Sequence, residues 1–414
     1  MRGQAQKDIS RGSPQNNKRK VPLTFVFQSI FNQSSMRPIR MVDLQKQHQA
    51  IQDELDQALE QVFAQTAFIK GPAVARFEEE LAQYQQCKHA IGCANGTDAL
   101  QLALMALDLA PGAEVLLPSF TFVATAEVVR LLGLKPVFVD IYADTFNIDV
   151  AKAEAMITED TRVIVPVHLF GQCADMESVM ALAKKHNLFV IEDAAQALGA
   201  TYTFTDGSEK KAGTMGHFGC TSFFPSKNLG AAGDGGAVFT NDDQMGHVVR
   251  QLANHGMSTQ YQYDRAGINS RLDGLQAALL RVKLPYLDQY NQRRRNAAEA
   301  YDNALAPLPQ VMCPKRCAKT YHIFHQYTLM VPEAQREDLQ KHLEAAGIPS
   351  KVYYPTPLQA HRCYANARTS DMRYTEQACR SVLSLPMHTE LDEAQLNHIT
   401  SQFAAFFESA PIPQ

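Results

Sequence analysis

The chain has 414 residues, yet it contains no tryptophan, no CxxC pair and no apolar run near the roughly 18 residues that cross a bilayer. Each absence removes a class of protein. Cys313 and Cys317 stand four apart, but no second pair and no His pair completes a zinc site, so no metal is expected. The eight cysteines (Cys87, Cys93, Cys173, Cys220, Cys313, Cys317, Cys363 and Cys379) are scattered and read as free thiols of a reducing cytoplasm. With no spanning segment, no membrane partner is expected. Net charge is −4 with both signs interspersed. That balance lacks the clustered Lys and Arg that nucleic acid attracts, so no nucleic-acid partner is expected. Arg293-Arg294-Arg295 reads as a solvated helix face.

What the chain does have is the composition of a globular protein, 45% hydrophobic and 20% charged, at a length that implies more than one domain. Residues 1–36 read as a polar leader, expected to be disordered; Lys18-Arg19-Lys20 before Val21–Phe27 only faintly resembles a signal peptide. Leu44, Ile51, Leu55, Leu59 and Val62 recur at helical spacing and predict one helix over 43–63. Pro72, Val74, Phe77, Leu81 and Tyr84 predict a second helix with proline in its first turn. From about 90 to 250, short continuous apolar runs alternate with helical segments. Runs of that kind predict an α/β fold, a mostly parallel seven-stranded sheet sandwiched by helices. The pattern turns helix-rich after Pro285. The expected organisation is therefore a large domain over 37–285 and a smaller α+β domain over 286–414.

In such sheets ligands bind beyond the carboxyl ends of the strands. Four clusters fall there. Asn95-Gly96-Thr97-Asp98 lies between a strand and a helix, where free backbone N–H groups favour an anion or Asn95 and Thr97 simply cap the helix. Glu192-Asp193-Ala194-Ala195-Gln196 ends a buried strand with two carboxylates and then small residues that leave room for something flat. In Ser222-Phe223-Phe224-Pro225-Ser226-Lys227-Asn228-Leu229-Gly230 a lysine sits among apolar and small residues, and desolvation there would make its amine nucleophilic. Gly233-Asp234-Gly235-Gly236 reads as a tight glycine turn behind it. A lysine for an imine, an acid for a ring nitrogen and a phosphate cradle are what a protein supplies to pyridoxal phosphate.

These motifs, with Pro118-Ser119-Phe120-Thr121-Phe122, Val167-His168-Leu169-Phe170-Gly171-Gln172, Asn269-Ser270-Arg271-Leu272 and Tyr354-Pro355, resemble the DegT/DnrJ/StrS family of sugar aminotransferases. The resemblance implies the type I pyridoxal-phosphate fold, with Lys227 as the Schiff-base lysine and proton shuttle and Asp193 on the pyridinium nitrogen. It implies Gln196 near the ring hydroxyl and Phe122 on the ring face. Gly96, Thr97 and Ser222 would hold the phosphate, and Asn269 would reach it from a partner subunit, so that a homodimer shares its sites. Arg271 and Tyr354 would face the sugar. The implied reaction moves an amino group from glutamate to a nucleotide-linked keto sugar, in cell-surface polysaccharide or lipopolysaccharide synthesis.

Within the family, Cys93, Gln172-Cys173-Ala174-Asp175 and Ser384-Leu385-Pro386-Met387-His388 resemble the 3-aminotransferases of UDP-2-acetamido-3-keto-glucuronate. Two departures bear on the sugar: Ala197-Leu198 stands where many members have His, and Gln359 follows Pro357-Leu358 where many have His. The alternatives are a 4-aminotransferase on a dTDP- or UDP-4-keto-deoxysugar, and a non-catalytic regulator or scaffold. Family dehydratases carry His in place of the lysine, which Lys227 argues against.

Overall fold

The computed structural model describes residues 36–409. All but the last residue of the expected leader lies outside the described residues. The central sheet has eight strands: β1 (His89–Cys93), β2 (Glu114–Pro118), β3 (Lys135–Val139), β4 (Thr161–Ile164), β5 (Phe189–Asp193), β6 (Phe218–Ser222), β7 (Gly236–Thr240) and β8 (Arg368–Thr369). Their spatial order is β1-β7-β6-β5-β4-β2-β3-β8. All neighbours run parallel except at β7, which is antiparallel to both β1 and β6.

The strands are continuous apolar runs because both faces are covered. Val115 and Leu117 of β2 enter one core while Leu116 enters the other; Phe138 of β3 faces the first, Val137 and Val139 the second. Helices Gly96–Ala106, Ala124–Leu131 and Asp243–Leu252 contribute to the first core, and Val150–Ala155 and Met176–His186 to the second.

The structure alters three expectations. The predicted helix over 43–63 is two helices, Leu44–Gln49 and Gln52–Gln65, broken at Ile51, whose side chain is buried with Leu55 and Leu279. The sheet has an eighth strand where seven were expected. It is formed by exposed Arg368 and Thr369, late in the chain, pairing with Val137 and Phe138. Arg293-Arg294-Arg295 is not a uniform solvated face. Arg294 is buried, and its Nη1 donates to the carbonyls of Phe324, His325 and Met387.

After the helix Leu287–Leu305 the chain builds an antiparallel pair, Tyr327–Met330 with Val382–Leu385, covered by Glu333–Ala345 and Glu393–Ser409. Ile39 shares their core with Tyr301, Leu329, Leu383 and Phe403.

Candidate active site

β5 ends in Asp193, which is buried beside the carboxyl end of β6. Both its carboxylate oxygens are held. Thr125 donates its hydroxyl to Oδ2 at 2.7 Å, and the Ala195 N–H donates to Oδ1 at 3.1 Å. Thr125 itself is buried in the first turn of the helix Ala124–Leu131. A buried carboxylate fixed at both oxygens is a preorganised partner for a cationic N–H.

Lys227 follows β6 on the loop to β7. Its backbone N–H donates to the Phe224 carbonyl at 2.8 Å, and Ala231 N–H closes the loop onto Phe223 at 2.7 Å. The residue as a whole is half-buried while its amine is withdrawn from solvent. Desolvation pushes the amine down to about 8, and the Asp193 anion partly opposes that shift. At neutral pH about one amine in ten is then free base, against about one in three thousand for an ordinary lysine.

Gly96 opens the helix Gly96–Ala106, with Asn95 as its cap: the Asn95 side chain accepts from Asp98 N–H at 2.8 Å. The capping reading of Asn95 therefore holds, and it leaves the Gly96 and Thr97 N–H groups in the first turn, where no helical acceptor exists. Ser222, the last residue of β6, meets this turn. A Cβ on Gly96 would fall 2.6 Å from the Ser222 Cβ, so only glycine permits the approach. Gly236 opens β7 equally close, its hypothetical Cβ lying 2.4 Å from the Asn95 carbonyl oxygen. The result is a cramped strand-end cradle of N–H groups and hydroxyls, whose donors suit a phosphate.

Gln196 and Tyr354 meet near enough to Asp193 to feel its charge. Gln196 accepts from the Phe170 N–H at 2.8 Å and donates to the Tyr354 hydroxyl at 3.2 Å. Burial raises the Tyr354 phenol well above its ordinary value, so it stays protonated. The Tyr354 ring packs edge-on to Phe120 at 5.9 Å and tilted to Phe122 at 6.4 Å. Phe122 is 56% exposed, which leaves ring surface free to cover a flat ligand.

The structure thus gathers Asp193, Lys227, Gln196, Tyr354, Phe122, Gly96, Thr97 and Ser222 around the ends of β1, β5 and β6. Asn269 and Arg271 make other contacts. Asn269 is exposed, bridged by backbone to Asn254. Arg271 bonds the Asn254 side chain at 3.2 Å and lines a separate cavity of about 230 Å³ with Lys70, Glu78 and Arg250. Of the residues that sequence reasoning passed over, Thr125 matters most; its one signal is a hydroxyl in an apolar helical segment. Gln359, one of the two departures from the family pattern, accepts the hydroxyl of Ser119.

A lysine with a depressed amine and a fixed buried acid, at neighbouring strand ends of a mostly parallel sheet, define an enzyme that works through an imine-forming cofactor with a ring nitrogen and a phosphate. The comparisons with known proteins agree. The DegT/DnrJ/EryC1/StrS aminotransferase family model matches residues 49–404, and the chain belongs to that family. It is 44% identical over 373 residues to the "Pleiotropic regulatory protein" of Geobacillus stearothermophilus, covering 89% of this chain and 98% of the relative. It is 43% identical over 361 residues to the UDP-2-acetamido-2-deoxy-3-oxo-D-glucuronate aminotransferase of Pseudomonas aeruginosa, covering 87% of this chain and 98% of that one. Among solved structures it superposes on Streptomyces venezuelae DesV, in complex with a ketimine intermediate, with a TM-score of 0.86 and 36% identity, over 91% of this chain and 100% of that one.

Proposed function

We propose that the chain is a pyridoxal-phosphate aminotransferase that carries an amino group from glutamate to the keto sugar of a nucleotide sugar, acting in the cytoplasm as a homodimer. The observation that carries the reading is the pairing of Lys227, desolvated to about 8, with Asp193, buried and held by Thr125 and Ala195. Pyridoxal phosphate supplies the aldehyde that carries the amino group and the ring that accepts an electron pair.

The residues of this chain do the rest. Lys227 would hold the cofactor through its desolvated amine and, once released from it, would hold and pass on the proton of the donor's α-carbon. Asp193 keeps a proton on the ring nitrogen. Gly96, Thr97 and Ser222 would hold the phosphate, Gln196 would serve the ring hydroxyl, and Phe122 would cover the ring. Asn269 and Arg271 would serve the site of a second copy, with Tyr354 and Arg271 facing the sugar. A uronate carboxylate suits Arg271, because a guanidinium pairs with it bidentately. That favours the 3-keto uronate reading over a neutral 4-keto-deoxysugar. The product would feed cell-surface polysaccharide or lipopolysaccharide, and the division of the chain near residue 285 belongs to the same proposal.

The test is optical. Wild-type protein with added pyridoxal phosphate should absorb in the visible, and glutamate should bleach that band; Lys227→Ala protein should do neither. A keto-sugar panel then separates the two substrate readings. A wild type that binds no cofactor, or ignores every amino donor, would leave a regulatory or scaffold role as the better reading.

A further inference from the structure

Behind Asp193 lies a buried pair that the reaction as described does not use. Glu192, the preceding residue of β5, is fully buried, as is His168, four residues beyond the end of β4, which parallels β5. Strand alternation sends the Glu192 side chain to the face opposite Asp193. Glu192 Oε1 accepts from the N–H groups of Met215 and Gly216, both at 2.6 Å. Its Oε2 accepts from the Gly213 N–H at 2.8 Å and lies 2.8 Å from His168 Nε2.

Elementary hydrogen-bond logic fixes the histidine. Its Nδ1 faces the Ala174 N–H at 3.1 Å and must be a bare acceptor. Nε2 then carries the only ring proton and donates it to Glu192. The same residue also holds Asp193 through its backbone. His168 N–H donates to the Asp193 carbonyl at 3.0 Å, while Asp193 N–H donates to the Pro166 carbonyl at 2.9 Å. His168 therefore grips both Glu192 and Asp193, one by its ring and one by its main chain.

We propose that His168, locked as the Nε2–H tautomer between Ala174 and Glu192, is the positioning residue that sets Asp193 against the cofactor's ring nitrogen. The proposal rests on the reading of Asp193 given above. His168 touches no reacting atom. It acts through the strand end, where a small rotation of the Asp193 peptide would swing its carboxylate away from Thr125 and Ala195.

Two substitutions separate the two ring contacts. In His168→Gln the amide nitrogen reaches the Nε2 position and keeps the donation to Glu192. In His168→Asn the side-chain oxygen reaches the Nδ1 position, keeps the bond from Ala174 and leaves Glu192 one donor short. Pyridoxal-phosphate dissociation and the visible band of the loaded protein are measured for both, together with melting of the apoproteins. His168→Gln should stay within about threefold of wild type, and His168→Asn should lose about tenfold or more in cofactor affinity, the range typical when a supporting hydrogen bond behind a functional group is removed. Nitrogen-15 spectra of histidine-labelled apoprotein, assigned by difference with His168→Gln, should show Nδ1 bare and Nε2 protonated.

A protonated Nδ1 overturns the proposal. So does a His168→Asn protein whose melting falls while its cofactor affinity and visible band hold. Should His168→Asn fail to fold, a tenfold loss in His168→Gln despite its retained donor also overturns it. Asp193→Asn, run in parallel, keeps the two readings apart. If it binds and absorbs as wild type, the role given to Asp193 fails; if it is disabled while His168→Asn is not, only the positioning role fails.

Discussion

The inner and outer walls of the site are built differently. On the inner wall, Asp193 has both oxygens satisfied within the chain, and Gln196 links Phe170 to Tyr354. On the outer strip, Asn269 is exposed, and Arg271 shares a cavity with Lys70 and Arg250, three cations beside one carboxylate, Glu78. Arg250 already pairs with Glu78 at 2.6 Å, and the Lys70 amine is pushed down by desolvation, with the charges of Arg271 and Arg250 adding to it. The inner wall is fixed by hydrogen bonds within one chain, whereas in the proposed reading the outer strip would serve a second copy. Groups that must hold a ring through a reaction gain from being fixed before the ligand arrives. Groups that must meet a substrate's acidic end can stay solvated until then.

The comparison breaks most severely at Lys227. Lys227→Ala should cost at least about a thousandfold in turnover, because nucleophile and proton shuttle are lost together; rates with glutamate and the keto sugar check it. Mixing sharpens the outer half. Arg271→Glu and Lys227→Ala proteins should each be inactive alone. Co-refolded, they should recover about a quarter of wild-type activity, because half the dimers would be mixed and each would hold one intact site. No recovery would mean that Arg271 serves its own chain.

Within the inner wall, Thr125→Val keeps the shape and removes the donor to Asp193 Oδ2. Leaving a buried carboxylate oxygen short of a donor costs about 1–3 kcal/mol. Turnover should fall about tenfold or more, with a smaller change in KM for glutamate.

The smallest effect concerns pH. The Lys227 amine sits near 8 in the fold and near 10.5 when unfolded, so between those values the unfolded chain binds the extra proton and stability rises with pH. Below 8 the buried charge carries its full penalty. Lys227→Met apoprotein should therefore melt higher than wild type at pH 7, by about 2 °C for each kcal/mol relieved. The gap should close as pH climbs from 8 towards 10.5. Capture of pyridoxal phosphate by wild-type apoprotein should speed up through about pH 8, as measured by stopped-flow absorbance.

Much of the inner wall is legible in the sequence alone. Asp193, Lys227 and Gly96 fall at strand ends because a strand buried on both faces must be a continuous apolar run, and such runs are plain to read. The break at Ile51 was not legible, since its apolar spacing continues unbroken; burial with Leu279 decides it. Nor was β8, two exposed polar residues that become a strand only by lying beside β3. Arg294 looked like a solvated charge and is instead buried, its guanidinium hydrated by three backbone carbonyls in place of water.

By itself the sequence determined the alternation of strand and helix, the residue types at each strand end and, through them, the class of cofactor. Those are local properties, set by periodicity and by chemistry that particular side chains alone can supply. Only the tertiary structure decided which oxygen of Asp193 meets Thr125, which tautomer His168 adopts, and that Arg271 meets the Asn254 side chain. Those depend on groups 6 to 68 residues apart arriving within 3.3 Å of one another, a distance no spacing along the chain encodes.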